Sequence, residues 1–227
     1  MSVVLDNVDL VVKAFVYTVL LFICSGILSL IGGAVLVAMR VGPVGVLRKA
    51  SAVYVTLVRN TPLLIMFLFL SIAAPKIDIQ FVWVDVHIGQ FDFTQYFAVG
   101  VVALTLYTSC FVCEALRSGI NAVPLGQAEA ARAIGLPFGT VMTQIVLPQA
   151  FRASVPPVAS VQIALLKNTT VAAAFGLIEA AAQMRSFTND FTGQRWGIFI
   201  TFSLIFVVLV EIVSLAANRL ERRWRIA

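Results

Sequence analysis

Residues 14–39 read AFVYTVLLFICSGILSLIGGAVLVAM, a run with no formal charge. About 20 apolar residues in a helix cross the hydrocarbon core of a bilayer, and this run exceeds that. Lipid offers no hydrogen-bond partner to an open backbone, so the run reads as a helix. Four more runs follow. Residues 50–75 are broken only by Arg59, and residues 93–113 end at Glu114. Residues 153–178 hold Lys167, and residues 196–218 hold Glu211. The expectation is an all-α integral membrane protein: one transmembrane domain over 1–227, five spans, no soluble domain at either end.

Composition agrees. The 227 residues are 60% hydrophobic and 12% charged, against roughly 25% charged in soluble domains. The net charge of +5 does not point to nucleic acid, because the basic residues flank the apolar runs. Cys24, Cys110 and Cys113 sit in those runs; Cys110 and Cys113 form a C-x-x-C without a βαβ context, which reads as helix packing. A single histidine, His87, makes no metal site. The start, MSVVLDNVDL, lacks a basic n-region, so no cleavable signal peptide is expected.

Five spans put the termini on opposite sides, and Arg and Lys accumulate on the cytoplasmic side. With the N-terminus outside, the inner segments hold Arg40, Arg48, Lys49, Arg117, Arg132, Arg152, Arg219, Arg222, Arg223 and Arg225. The outer segments hold only Lys13, Lys76, Arg185 and Arg195. Ten against four gives N-terminus out and C-terminus in, in the plasma membrane. The alternating QFVWVDVHIGQF of the outer loop 76–92 reads as a short hairpin and a surface cap.

One inner segment, about residues 120–150, is not oil. GQAEAARAIGLPFGTVMTQIVLPQA, residues 126–150, is polar and alanine-rich. Pro124 suits a first helical turn and Gly135 a helix stop, leaving about two turns between them. Glu129 and Arg132, three apart, can pair on one face. Ala130 and Ala131 keep the helix thin enough for a partner to approach. Pro137 starts a second short helix, and Pro148 is expected to interrupt the chain before the fourth span. An amphipathic loop on the membrane surface fits the composition equally well.

Charges at bilayer depth cost at least about 2.5–3.5 kcal/mol and call for a wet or protein-lined path. Lys167 is the clearest, with Asn168, Thr169 and Thr170 supplying amide and hydroxyl groups; the alternative is a structural pair with Glu114 or Glu211. Arg59 can snorkel inward. At Thr61-Pro62 the missing backbone donor can free a carbonyl one turn back to face a cavity, as a hinge or a plain kink. Glu114 and Arg117, three apart, read as a structural pair or a gate. Glu211 has no motif around it.

The spacing goes further. Glu129-Ala130-Ala131, three residues, Gly135, nine residues, then Ile145-x-Leu147-Pro148 resembles the EAA loop of ABC-importer permeases. Arg59-Asn60-Thr61-Pro62-Leu63-Leu64 resembles a segment of polar amino-acid permeases, with Asn60 at a customary glycine. Glu114 to Ile120, Leu166-Lys167-Asn168-Thr169-Thr170 and Gly176-Leu177-Ile178-Glu179 match further segments, with Val171 and Leu177 departing mildly. LYTSCFVCEALRSGINAVPLGQAEAAR and LLKNTTVAA are most similar to permease subunits of glutamate-uptake systems.

The resemblance implies a type I importer fold and a coupling helix built on Glu129, Ala130, Ala131, Arg132, Gly135 and Leu136. It implies a substrate pathway along Arg59, Thr61, Pro62, Glu114, Lys167, Asn168, Thr169 and Thr170. The implied partners are a cytoplasmic ABC ATPase dimer, a second permease subunit, related or identical, and an external amino-acid-binding protein. The implied substrate is a polar amino acid: glutamate, then glutamine and aspartate. No cofactor, metal or catalytic residue is expected in this chain, which lacks a GxxxxGK[ST] loop; ATP belongs to the partner. Competing readings are a permease for another small polar solute such as an opine, an ion-coupled secondary carrier, and a membrane scaffold or sensor. The odd span count and the absence of an inverted repeat stand against a carrier.

Overall fold

The structure is a computed structural model and describes residues 2–82 and 84–224. Arg225, counted above among the inner charges, lies outside the described residues, as does Trp83 of the outer loop. After a short helix α1 (Ser2–Asp6), the first span is α2 (Val8–Val41). At 1.5 Å per residue a helix of this length exceeds the roughly 30 Å hydrocarbon core, so it starts earlier than residue 14 and carries Lys13 and Arg40 at its two ends. Its buried residues, among them Val11, Ala14, Tyr17, Thr18, Leu21, Ser25, Ser29, Gly33 and Val37, fall at helical spacings of three or four. That stripe packs on the third span, α5 (Gln95–Asn121). Tyr17, Leu21, Phe97, Ala103, Leu104, Leu165 and Ala172 share one core cluster.

The second span departs from the sequence reading. It is not one helix over 50–75 but two, α3 (Gly45–Arg59) and α4 (Leu63–Leu68), the latter continued by π and 3-10 turns to Ile77. The two runs meet at 103°, so they cannot both lie along the membrane normal. Pro62, extended at φ −59 and ψ 137, has no N–H to donate and disfavours a helical residue before it. The expected freed carbonyl is also corrected. The Thr61 N–H bonds the Val58 carbonyl at 3.1 Å, and the Thr61 hydroxyl donates to the Leu57 carbonyl at 2.8 Å. Thr61 thus closes the helix end that Pro62 opens. Ser51 donates to the Leu36 carbonyl and Tyr54 to the Leu106 carbonyl, both at 2.8 Å, which hold α3 across α2 and α5.

The loop 76–92 forms the expected hairpin. Strands β1 (Val86–Ile88) and β2 (Phe91–Phe93) pair antiparallel around Gly89 and Gln90, with His87 opposite Asp92. The Tyr17 hydroxyl donates to the Asp92 carbonyl at 3.0 Å and accepts the Asp92 N–H at 2.6 Å, so the cap is tied to the first span. His87 Nδ1 lies 2.6 Å from Asp92 Oδ1 and Nε2 lies 3.2 Å from Asp85 Oδ1. The hydrogen bond to Asp92, then the charges of Asp85 and Asp92, raise the His87 pKa above its ordinary value; the same bond lowers that of Asp92. Protonated His87 donates from both nitrogens. Its contribution is full below the ordinary imidazole value of about 6.5 and is lost as pH rises through the raised one; that of Asp92 is lost as pH falls through a value below about 3.9. The clasp is therefore expected to hold best in mildly acidic medium. An NMR titration in which His87 titrates at or below the ordinary imidazole value would contradict this.

The fourth span is longer than 153–178. From α7 (Phe138–Thr140) a π-helical turn (Val141–Val146) leads directly into α8 (Leu147–Asn168) and a 3-10 turn (Thr169–Phe175). Pro148 does not interrupt it. The wider winding just before Pro148 shifts the backbone bonds and gives the ring room in the first turn of α8. Spans three and four cross closely at Gly119, where a Cβ would sit 2.4 Å from the Ala150 carbonyl oxygen and 1.9 Å from Ser154 Oγ. Helix α9 (Ala180–Asp190) then leads to the fifth span, α10 (Arg195–Trp224). Among the described residues, four helical runs are long and apolar enough to cross a membrane, five with the bent pair taken as one span.

Candidate functional site

Two regions carry the candidate residues. The first is α6 (Leu125–Ala133), between spans three and four. Pro124 stands immediately before the first turn, at φ −60 and ψ 129. At the far end Gly135 has φ +89. Its N–H bonds the Arg132 carbonyl at 3.0 Å, and the Leu136 N–H reaches the Ala131 carbonyl at 3.2 Å. This pair of bonds is a Schellman closure, which needs a left-handed residue at the Gly135 position. The sequence-read stop is thus a specific piece of geometry.

The faces of α6 sort its residues. Ala131 is buried against Val141 and Val146, so it seats the helix rather than thinning it for a partner. Glu129, Ala130 and Arg132 are exposed. No ion pair forms between Glu129 and Arg132 among the described residues, contrary to the pairing that their spacing suggests. Leu125, Ile134 and Phe138 are 80%, 78% and 72% exposed, an apolar fringe on a polar helix. Gln149 donates to Gln127 and to the Ile145 carbonyl, tying α6 to the fourth span. The sequence reading missed this pair, because glutamines 22 positions apart give no periodic signal.

The second region is a face at membrane depth. Arg59 ends α3 at the bend, and Lys167 stands in the last turn of α8; both are exposed. Asn168 and Thr170 are half-buried, but Thr169 is fully buried and donates to the Leu166 carbonyl at 2.7 Å. Thr169 therefore faces the core, not the pathway, because the 3-10 winding carries successive residues to different sides. Lys167 pairs with neither Glu114 nor Glu211: among the described residues it makes no ion pair. Glu114 is held elsewhere. Its Oε1 lies 2.7 Å from Arg40 of the first span and its Oε2 3.4 Å from Arg117, a clamp across neighbouring ends of spans one and three. Glu211 is exposed on α10.

Beyond Thr170 lies a cavity of about 860 Å³, walled by α4, the 3-10 turn, α9 and α10, with Leu64 and Thr170 on its surface. Phe67 stacks on Phe175 at 5.2 Å and fixes α4 to the end of the fourth span. Glu179, which the sequence reading placed only within a matching segment, caps α9: it accepts the Ala182 N–H at 3.0 Å, while Thr18 donates to its other oxygen at 3.3 Å.

Residues 29–226 match the family model of binding-protein-dependent transport system inner membrane components. The chain belongs to this family. The permease is 39% identical, over 92% of each chain, to the glutamate transport system permease protein GluC of Corynebacterium glutamicum. It is 30% identical to the glutamate/aspartate import permease protein GltJ of Escherichia coli K12, over 94% of this chain and 87% of that one. An amino acid ABC transporter crystallised with histidines has the same fold, with a TM-score of 0.84, 23% identity and 96% of each chain covered. As an ABC permease subunit it is neither an ion-coupled carrier nor a scaffold. For this permease Lys167→Met should keep the helix, ease insertion by removing a charge, and lower uptake. Undiminished uptake would take Lys167 out of the pathway.

Proposed function

We propose that this chain is the membrane permease subunit of an ATP-driven importer for glutamate, with aspartate and glutamine as lesser substrates. The observation that carries this is a continuity. The helical run Phe138–Phe175 starts beside α6, which Gln127–Gln149 and the buried Ala131 tie to it, and ends with Lys167, Asn168 and Thr170 on the transport face. Closure of an ATPase dimer against α6 would push on one end of this run and move the other. The exposed Leu125, Ile134 and Phe138 suit the apolar groove of such a partner, and Glu129 and Arg132 its polar rim. The chain itself binds no ATP and needs no cofactor in this reading. The N-terminus lies outside and the C-terminus inside, which puts α6 in the cytoplasm. Arg59 and Lys167, exposed at membrane depth, cannot face lipid at low cost; a second permease subunit, related or identical, covers this face, and an external binding protein delivers the amino acid.

The charge pattern supports an anionic substrate. Asn168 follows Lys167 where an aspartate would have suited a cation. At an effective dielectric of about 20, a unit charge 4 Å away is worth roughly 4 kcal/mol; a third of that discriminates about tenfold. The test is labelled glutamate uptake by the full complex in proteoliposomes, against excess aspartate, glutamine and arginine. Aspartate and glutamine should compete, arginine should not, and Asn168→Asp should lower glutamate uptake. Arginine as the best competitor would refute the proposal.

A further inference from the structure

The outer cavity holds two guanidinium groups that neither the coupling loop nor the Lys167 segment uses. Arg185 projects from α9 and Arg195 from the start of α10, and both line the cavity together with Thr170. Each is fixed to the backbone: Arg185 Nη2 donates to the Ala173 carbonyl at 2.9 Å, and Arg195 Nε to the Thr188 carbonyl at 3.2 Å. Neither forms an ion pair among the described residues. Among the described residues no carboxylate lines the cavity. The nearest acids in sequence make their hydrogen bonds to other groups: Asp190 accepts from Ser186, and the buried Glu179, which feels the Arg185 charge, caps α9. Two exposed, anchored guanidiniums in one concavity, neither in an ion pair and each with a fork of donors, suit a carboxylate. Trp196, 79% exposed beside Arg195, marks the depth, since tryptophans gather at the membrane–water interface. The cavity volume falls in the range of small-molecule sites. Its Thr170 wall lies three residues after Lys167.

We infer that Arg185 and Arg195 form an anion-selecting outer mouth of the transport route, binding the side-chain carboxylate of a dicarboxylic amino acid before it reaches Lys167. This rests on the amino-acid import reading and adds to it where selection for the second carboxylate occurs inside the membrane subunit. Glutamine, with the same shape and no side-chain charge, is the matched comparison. Lysine at both positions keeps the charge without the fork.

The experiment is equilibrium binding of labelled glutamate and glutamine to the purified permease–ATPase complex without binding protein. The wild type is compared with Arg185→Gln/Arg195→Gln and Arg185→Lys/Arg195→Lys. The glutamine pair should weaken glutamate binding about tenfold, the change expected from loss of a partly screened charge contact, and leave glutamine binding within about twofold. The lysine pair should recover most of the loss. Unchanged glutamate binding, equal weakening for both amino acids, or a lysine pair as weak as the glutamine pair would overturn the inference. Repeating the titration with phosphatidylcholine alone and with added phosphatidylglycerol separates the other anion source. An arginine effect seen only with phosphatidylglycerol assigns the two residues to lipid headgroups and also overturns it. Uptake by the wild-type complex in proteoliposomes separates the two levels. A wild type that imports neither amino acid refutes the import reading and this mouth with it; a wild type that imports glutamate while the variants bind it normally refutes the mouth alone.

Discussion

Gly135→Val should leave the helical bundle folded and reduce ATP-driven uptake by about 100-fold, the scale on which small misplacements of a remote element act. The reason lies in the backbone. Gly135 has φ +89, and a Cβ built there meets nothing within 4 Å. Valine would not clash; it would only resist the left-handed conformation, at a cost of about 1–2 kcal/mol. The Schellman closure through Gly135 and Leu136 would open, and the turn that aims α6 relative to Phe138 would be redirected. Ala131 and its partners Val141 and Val146 lie before and after that turn, so the bundle keeps its core. The check is a pair of measurements on the purified protein, the thermal midpoint and substrate-stimulated ATP hydrolysis with the ATPase bound. A midpoint lowered by only about 2–8 °C with lost stimulation is expected. Glu129→Lys, on the exposed face, should lose ATPase binding by reversing a charge at the contact. If both variants keep full ATPase binding and transport, α6 is not the coupling element.

The same substitution at Gly119 should do the opposite. There the backbone is ordinary and space is the constraint. A Cβ would meet the Ala150 carbonyl oxygen, which is backbone and cannot rotate away, at 2.4 Å. Gly119→Val would force spans three and four apart, stretching the Ser154–Leu116 hydrogen bond, already 3.4 Å long. Overpacking of this kind costs about 3 kcal/mol or more, which for a chain of this size lowers the thermal midpoint by roughly 6–12 °C. Alanine should already lower it, because the clash begins at Cβ. A midpoint unchanged in detergent would mean that the two helices do not cross here.

These two glycines also mark how much was legible in advance. Gly135 could be read from sequence: it follows a short polar helix and precedes Leu-Pro, so its job is local. Gly119 could not. Nothing in ALRSGIN says that residue 150, in another span, comes within contact of it. The membrane class, the approximate spans, the hairpin of loop 76–92 and the extent of α6 rest on composition, alternation and turn residues, all local signals. Pro62 reads as a hinge or a kink within one span, but its 103° bend and the closing bonds from Thr61 give no local signal. Pro148 was read as a break and is none, because the π turn before it accommodates the ring.

The site residues divide in the same way. Glu129, Arg132, Lys167 and Arg59 reach the surface, as charges in a short loop or an apolar run must unless a partner holds them. Ala131 and Thr169 turn inward, Glu114 is taken by Arg40 from a span 74 positions earlier in the chain, and Arg185 and Arg195 share one cavity. Each of these depends on the rotation of a helix about its axis and on which distant helix it meets. Sequence alone determined where apolar runs make helices and where glycine and proline end or bend them, because those costs fall within a few residues. Only the tertiary structure decided which face of each helix is core and which charges meet, because one residue of 3-10 or π winding turns a side chain to another side without altering the composition that predicts the span.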